Sequence, residues 1–306
     1  MKITKEEGTT KISNPACIQD LLEKFNMDKC APKKQPANPH VIFRKTPQDD
    51  PPHECPYREL IGALLHLQGT CRPDITQAVN NLSRYMNEPS KEHWTGAKHV
   101  LAYLKGTTDL GIIFRKSPRL RSLSPLSKLR ATTISLYTDS DYAMSTTDRK
   151  STTGCLIYLN QDLIDWCSSK QDVTTRSSCE AEHVAADSGA RKAMFLRKVL
   201  AEITTLAAGN VKSTDQITHG AKDVQWNTSE PTMLHTDSQS AIAVTERNNF
   251  TGSLKHIETR YYYLAEQVER KKISLHHIPG VENPADLMTK AVKPEVWKRL
   301  IHHLVH

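Results

Sequence analysis

Two kinds of hydrophobic periodicity divide the chain. In its first part, apolar residues recur every three or four positions, as in amphipathic helices, for example Ile18, Leu21, Leu22 and Phe25. This spacing predicts helices over residues 18–27, 57–68, 75–85 and 91–104, followed by a short strand over 111–115. Residues 31–56 contain many prolines and are predicted to form an extended loop without a core of its own. The first part is therefore predicted to be a small helical unit.

From residue 134 the apolar positions alternate with polar ones, which is typical of half-buried strands. The predicted strands are 134–138, 152–159, 163–169, 233–236 and 273–278. The predicted helices are 179–203, 239–246, 256–269, 284–289 and 294–303. Short turns between the first three strands favour antiparallel pairing. This order of elements predicts an α/β fold, in which helices pack over a mixed sheet.

Composition excludes two classes of protein. No apolar run in the 306 residues approaches the ~20 needed to span a bilayer, and the mean hydropathy is −0.54, so we expect no membrane protein. The N-terminus is charged and lacks an apolar segment, which gives no sign of secretion. Seven cysteines are scattered without a CxxC pair, as expected for reduced thiols inside a cell.

The charge of the chain points to a polyanionic partner. The formal net charge is +7 and the isoelectric point is near 8.9. Between Asp109 and Asp139 the sequence has six basic residues and no acidic one. This stretch is consistent with a solvated linker and with a tether along a phosphate backbone, and the two interpretations are compatible.

Four carboxylates occupy related places in the predicted elements. Asp139 follows the strand over 134–138, Glu182 lies near the start of a helix, Asp237 follows another strand, and Asp286 lies just inside a helix. One such residue means little in a chain with 34 acidic residues, but the recurrence indicates a shared site. 

Two neighbouring carboxylates need to be separated from this set. Asp141 could share a face with Asp139 if the strand continued, and we prefer Asp139 because it lies closer to the strand. Glu180 and Glu182 diverge on a helix, so that only one of them can reach the site. We prefer Glu182, because Ala186, Gly189 and Ala190 on its face would let the helix approach the sheet closely.

Several long motifs resemble a known family. SDYAMSTTDRKSTTGCLIYLNQDLIDWCSSKQ, SSCEAEHVAA, HTDSQSAIAV, LKHIETRYYYLAEQV and IPGVENPADLMTKAVKPE resemble the ribonuclease H (RNase H) domain of copia-type retrotransposon Pol polyproteins. YRELIGALLHLQGTCRPDITQAVNNLSRY and AKHVLAYLKGTTDLGI resemble the thumb and connection at the end of the reverse transcriptase domain. The sequence departs from the family in lacking the polymerase palm with its paired aspartates, and capsid, protease and integrase. DNA polymerisation is therefore not expected.

The resemblance implies an RNase H-like fold, a mixed five-stranded sheet flanked by helices and preceded by the helical thumb and connection unit. It divides the chain into a reverse transcriptase remnant over 1–115, a basic linker over 116–133 and an RNase H domain over 134–306. Residues 204–231 would form a flexible insertion in that domain. This insertion and the linker look longer than is usual in the family.

The resemblance also implies the chemistry. RNase H hydrolyses the RNA strand of RNA–DNA hybrids with two divalent cations, normally Mg²⁺, with Mn²⁺ as a substitute. Such hard cations prefer oxygen ligands. The catalytic and metal-binding residues would be Asp139, Glu182, Asp237 and Asp286. The expected partners are the RNA–DNA hybrid and the rest of a reverse transcriptase, without a membrane or a small-molecule cofactor. The expected location is intracellular, in the cytoplasm within a virus-like particle, in the nucleus, or in both.

Further residues could contact the nucleic acid through phosphates or 2′-hydroxyls. This set consists of Arg149, Lys150, Ser151, Ser177, Ser178, Lys255, His256 and Arg260. The alternative for the first five is that they are solvated turn residues. The alternative function for the whole chain, suggested by the missing palm, is a catalytically inert relic that binds nucleic acid or protein.

Overall fold

The computed structural model describes residues 1–45, 53–116, 132–145, 148–207, 230–247 and 258–306. It begins with a small antiparallel sheet of order β1-β2-β3, made of β1 (Lys2–Glu6), β2 (Thr9–Ser13) and β3 (Ile112–Arg115). The hairpin β1–β2 was not predicted. Its strands are mostly polar and exposed or half-buried, so they carry little hydrophobic alternation. Gly8 in the turn has a φ of 82°, which favours glycine.

The predicted helices of the first part are present with shifted ends. They are α1 (Pro15–Lys24), α2 (Tyr57–Thr70), α3 (Thr76–Ser83) and α4 (Lys91–Gly106). Helix α1 begins three residues before its predicted start. Pro15 lies in its first turn, where the missing N–H of proline costs no hydrogen bond, because N–H groups at this position have no partner within the helix. A 3₁₀ turn over Pro73–Ile75 precedes α3. The four helices bury one apolar cluster, which includes Ile18, Leu60 and Leu101.

The main sheet confirms the predicted α/β class and the mixed five-stranded sheet. Its strands are β4 (Ile134–Asp141), β5 (Thr152–Leu159), β6 (Asp162–Lys170), β7 (Thr232–Thr236) and β8 (Ile273–His277). The spatial order is β6-β5-β4-β7-β8. As predicted, the pairs β4–β5 and β5–β6 are antiparallel. The pairs β4–β7 and β7–β8 are parallel, which places β4 at the centre of the sheet.

Helices cover both faces of this sheet. They are α5 (Ser178–Ala207), α6 (Gln239–Arg247), α7 (Glu258–Glu269), α8 (Asp286–Thr289) and α9 (Pro294–Leu300). On one face, a Cβ added to Gly189 of α5 would lie 2.8 Å from Thr138 Cγ2, so the predicted close approach of this helix is confirmed. On the other face, a Cβ on Gly154 would lie 2.7 Å from the Ala285 carbonyl oxygen beside α8.

Three predictions fall largely outside the described residues. Most of the linker over 116–133 and of the insertion over 204–231 lies outside them, as does the predicted start of the helix over 256–269.

The predicted helix over 284–289 is shorter in the structure, because residues 284 and 285 precede α8. The last predicted helix, 294–303, is divided into α9 and a 3₁₀ turn over Ile301–His303.

The helical unit packs directly against the main sheet. The Asn80 side chain donates to the Ser168 carbonyl at 2.7 Å, and Trp166 Nε1 donates to the Gln68 carbonyl at 2.9 Å. The rings of Tyr103 and Trp297 meet edge to face, with centroids 5.8 Å apart. Among the helices that the structure describes, none has both the length and the apolar character needed to cross a membrane.

Candidate active site

Asp139 lies inside the central strand. Strand β4 runs to Asp141, three residues beyond its predicted end, because β5 continues the hydrogen-bonded ladder where the apolar alternation stops. Asp139 pairs with Gly154 of β5 and is 2% exposed. The hydroxyl of Thr289 in α8 donates to Asp139 Oδ2. The carboxylate is therefore fixed from the face of the sheet that α8 covers.

Glu182 reaches the same place from the first turns of α5. The backbone N–H of Ser140 donates to Glu182 Oε1 at 3.0 Å, and the Ser140 hydroxyl donates to it at 2.9 Å. Glu182 Oε2 is buried and has no hydrogen-bond partner among the residues that the structure describes. Glu180 points elsewhere, because its carboxylate accepts from the backbone N–H of Arg176 at 2.6 Å. The divergence predicted for the two glutamates is therefore present.

Asp237 follows β7, the parallel neighbour of β4. One ligand oxygen each from Asp139, Glu182 and Asp237 lies within 4.8 Å of the other two. We call these three residues the carboxylate cluster. Gly280 leaves room for it, because a Cβ added there would lie 2.8 Å from Asp237 Oδ2.

Asp286 lies beside the cluster, together with Lys290, which was not among the predicted site residues. Lys290 Nζ lies 2.8 Å from Asp286 Oδ1 and 3.9 Å from Asp139 Oδ2. The spacing of four residues between Asp286 and Lys290 was the available sequence signal for this ion pair. Lys290 therefore bridges two of the four predicted site residues.

Crowding and burial make the acids hard to ionise. Burial, followed by the charge of Asp139, raises the pKa of Glu182 to about 8. The same two causes raise the pKa of Asp286 to about 7 and also raise the pKa of Asp237. Burial alone would lower the pKa of Lys290, but the neighbouring Asp139 and Asp286 hold it above its ordinary value. The site therefore has an excess of negative charge that one lysine does not balance.

This donor set fits a hard divalent cation. It consists of converging carboxylate oxygens, which Mg²⁺ and Mn²⁺ prefer as ligands. Glu182 Oε2 is buried without a hydrogen-bond partner among the described residues, so it is available as a ligand atom. Bound cations would also remove the electrostatic cost of ionising these neighbouring acids. The ligand oxygens of the cluster therefore already lie close enough together to hold a metal ion.

Several relatives of the chain are transposon proteins. The retrovirus-related Pol polyprotein from transposon TNT 1-94 of Nicotiana tabacum is 31% identical to it, over 98% of this chain and 21% of the relative. The corresponding polyprotein from transposon RE2 of Arabidopsis thaliana is 30% identical, over 89% of this chain and 16% of the relative. The chain is homologous to the retrovirus-related Pol polyproteins of copia-type transposons. It spans about a fifth of the length of the tobacco polyprotein.

No protein-family model matches the chain. The solved N-terminal RNase H domain of a Mycobacterium tuberculosis protein, fused to maltose binding protein, aligns with a TM-score of 0.32 and 9% identity. That alignment covers 56% of this chain and 98% of the other.

Asp141 is a further acid of the Pol homologue on β4, and it lies outside the carboxylate cluster. Burial, with a smaller contribution from Asp139, raises its pKa to about 6. Lys290 and Arg84 lie near enough to oppose that shift. The group of acids that could hold a metal among the described residues therefore includes Asp139 and not Asp141.

The predicted nucleic-acid contacts of the Pol homologue fall into two groups. Arg149 and Lys150 precede β5, and Ser177 and Ser178 mark the exposed start of α5. Lys150 Nζ donates to the Asp172 carbonyl at 2.6 Å, which joins the loops before β5 and before α5.

Two of the predicted serines have roles within the protein. Ser151 is fully buried, and its hydroxyl accepts from the Ala143 N–H at 3.1 Å. The Ser177 hydroxyl accepts from the Glu180 N–H at 3.2 Å. Lys255 and His256 lie outside the described residues, and the Arg260 side chain is not described.

Proposed function

We propose that the chain hydrolyses the RNA strand of RNA–DNA hybrids, as the RNase H part of a retrotransposon Pol polyprotein. The observation that carries this proposal is the carboxylate cluster at the centre of the main sheet, with one oxygen of each member within 4.8 Å of the others. Homology to Pol polyproteins supports it, because the motifs that resemble an RNase H domain contain Glu182 and Asp237, and the first of them begins directly after Asp139.

Asp139, Glu182 and Asp237, with Asp286 beside them, would hold two divalent cations, Mg²⁺ or Mn²⁺. Cations bound at such a site activate a water molecule and stabilise the leaving 3′-oxygen of a phosphodiester. Asp139 lies among Glu182, Asp237 and Asp286, and its charge raises the pKa of each of these acids.

Neighbouring groups hold these ligands in position. Two donors from Ser140 fix Glu182 Oε1, while Oε2 has no hydrogen-bond partner among the described residues. The Thr289 hydroxyl fixes one oxygen of Asp139. Lys290 neutralises part of the charge of Asp286 and Asp139. This preorganisation lowers the reorganisation needed when the substrate phosphate arrives.

The proposed organisation follows the homology. Residues 1–115 would correspond to a reverse transcriptase thumb and connection, 116–133 to a basic linker, and 134–306 to the RNase H domain. The rest of a reverse transcriptase would be a partner. We place the protein inside the cell, in the cytoplasm or the nucleus, where an RNA–DNA hybrid would be formed.

The test is cleavage of a hybrid whose RNA and DNA strands carry different labels. We expect the wild-type chain to cut the RNA strand internally in Mg²⁺ or Mn²⁺ and to stop when a chelator is added. Asp237→Asn should abolish cleavage while still folding, because it keeps the shape of the side chain. Asp28→Asn is the matched control, since it makes the same change at an exposed position outside the cluster.

The inert relic makes the opposite forecast. A folded wild-type chain that binds the hybrid and leaves both strands intact in either metal would contradict the proposed function. Hybrid cleavage that is as strong in Asp237→Asn as in the wild type would also contradict it, because the activity would then not depend on the carboxylate cluster.

A further inference from the structure

A groove separates the helical unit from the edge of the carboxylate site. We define this cationic groove by Lys45, Arg84, Tyr85, Asp141, Lys170 and Lys290, which are six of the residues that line it. Its cavity has a volume of about 250 Å³. Lys290 lies at its inner end, where it contacts Asp286 at 2.8 Å and Asp139 at 3.9 Å. The groove therefore starts at the acids of the candidate active site.

Positive charge dominates the groove. Four of the six residues that define it are basic, and Asp141 is its one acid. The Arg84 side chain is exposed, and its guanidinium donates to the Thr152 hydroxyl at 3.3 Å. Lys170 is held by Asp148 at 2.7 Å. These cations come from the loop before α2, the end of α3, β6 and the residue after α8, so distant parts of the sequence converge on one surface.

The walls of the groove are fixed relative to each other. Asn80 of α3 donates to the Ser168 carbonyl of β6 at 2.7 Å, close to Arg84 on one side and Lys170 on the other. The Gln35 side chain donates to the Val292 carbonyl at 3.0 Å, two residues beyond Lys290. The cations are therefore held in place on a rigid junction.

Apolar side chains line the same groove. Ile42 is 56% exposed and Met144 is 54% exposed, and both line it together with Phe43 and Tyr85. Cations that can bind phosphates, next to exposed apolar and aromatic groups that can pack against bases and sugars, are typical of surfaces that follow a polynucleotide strand.

We propose that the cationic groove binds the backbone of the hybrid next to the scissile phosphate, so that the helical unit supplies Arg84 to substrate binding. This inference rests on the proposed function, because it places the cut phosphodiester at the carboxylate cluster. A neighbouring phosphate then lies among Arg84, Lys170 and Lys45. The helical unit is in this view part of the substrate site, even though it contributes none of the four acids.

The first experiment measures binding of the full chain to a labelled hybrid in Ca²⁺, at several salt concentrations and without cleavage. Arg84→Glu should weaken binding about tenfold or more. It should also lower the magnitude of the slope of log affinity against log salt concentration by about one, which corresponds to the loss of one phosphate contact. Arg84→Lys should retain most of the slope, because the phosphate contact needs a positive charge. Arg299→Glu on α9 is the matched control, since Arg299 is exposed and outside the groove. Thermal unfolding of each variant checks that it is folded.

A second experiment locates the strand. A photoreactive benzoylphenylalanine at Ile42 should crosslink to nucleotides beside the cleavage position. The same group at Phe195, which is 68% exposed on α5, should not. 

The outcomes separate the two proposals. If Arg84→Glu binds and cuts the hybrid like Arg299→Glu, or if Ile42 gives no crosslink beside the cut, the groove inference is wrong and the proposed function stands. If the wild-type chain neither binds nor cuts the hybrid, both are wrong.

Discussion

Two clusters of buried charge in the described part of the chain are built in opposite ways. In the helical unit, Arg72 and Asp74 are almost completely buried and pair through two short contacts, of 2.9 and 2.6 Å. Tyr103 also donates to Asp74 at 2.7 Å, and Arg72 donates to the Thr107 carbonyl and hydroxyl. At the centre of the main sheet, four acids meet with one lysine, and Glu182 Oε2 has no partner among the described residues.

This difference separates a structural charge from a functional one. Arg72 and Asp74 satisfy each other, so their cluster needs nothing from outside the protein. The carboxylates of the main sheet raise each other's pKa values and are satisfied only by added positive charge. We interpret the first cluster as a structural ion pair that stabilises the fold and the second as a site for binding cations.

The largest effect is expected in the balanced cluster. Arg72→Met should lower the free energy of unfolding by about 3–5 kcal/mol, because it leaves Asp74 buried without its partner. Chemical denaturation of the variant measures this loss. Arg299→Met is the control and should change stability by less than about 0.5 kcal/mol, since Arg299 is exposed. An equally small effect of Arg72→Met would break the comparison.

A large effect on activity, with little effect on folding, is expected in the unbalanced cluster. Asp139→Asn should reduce cleavage of the hybrid by about 10²–10³-fold or more, because it removes the charge of one ligand of the carboxylate cluster. The midpoint of thermal unfolding should not fall, since the variant relieves repulsion with Glu182 and Asp286. Loss of activity through unfolding alone would count against the metal site.

The pH dependence of stability should expose the unbalanced charge. The pKa of Glu182 rises from 4.5 to about 8 on folding, and that of Asp286 rises from 3.8 to about 7. The folded state therefore holds these protons more tightly than the unfolded state. The resulting stability is complete below about pH 4 and is lost as the pH rises through 7 to 8.

We therefore expect metal-free protein to unfold at a lower temperature at pH 8 than at pH 5. Mg²⁺ should raise the unfolding temperature more at pH 8 than at pH 5. In Glu182→Gln the fall in unfolding temperature from pH 5 to pH 8 should be smaller than in the wild type. The difference should be roughly 2–4 °C for each kcal/mol that the titration of Glu182 contributes to the pH dependence of stability. An identical fall in Glu182→Gln would show that other groups cause it.

The smallest effect is expected at Asp141. Asp141→Asn should keep hybrid cleavage within about tenfold of wild type, because Asp141 lies outside the carboxylate cluster. Steady-state kinetics beside Asp139→Asn would measure the contrast. A loss of activity as large as that of Asp139→Asn would indicate that Asp141 is also a site residue on β4.

Strong periodicity made most of the fold predictable, and weak periodicity marks what was missed. The alternation of Ile134 and Leu136 identified β4, and the small residues of α5 identified its close packing on the sheet. The β1–β2 hairpin and the last three residues of β4 were missed. These segments are polar, and their pairing depends on strands that are distant in sequence.

The site was predictable where local geometry was sufficient. The divergence of Glu180 and Glu182 follows from helical spacing alone. Lys290 was not predicted, because its role depends on the position of Asp139, about 150 residues earlier. Arg84 was missed for the same reason, since only the packing of α3 against β6 brings it to the groove.

The most direct test of the central claim is a crystal structure of the chain soaked in Mn²⁺, with anomalous data collected to locate the metal. We predict anomalous density between the carboxylates of Asp139, Glu182 and Asp237 in the wild-type protein, and its loss in Asp237→Asn. Ordered carboxylates without a metal peak, at Mn²⁺ concentrations that support RNase H cleavage by other enzymes, would contradict the account.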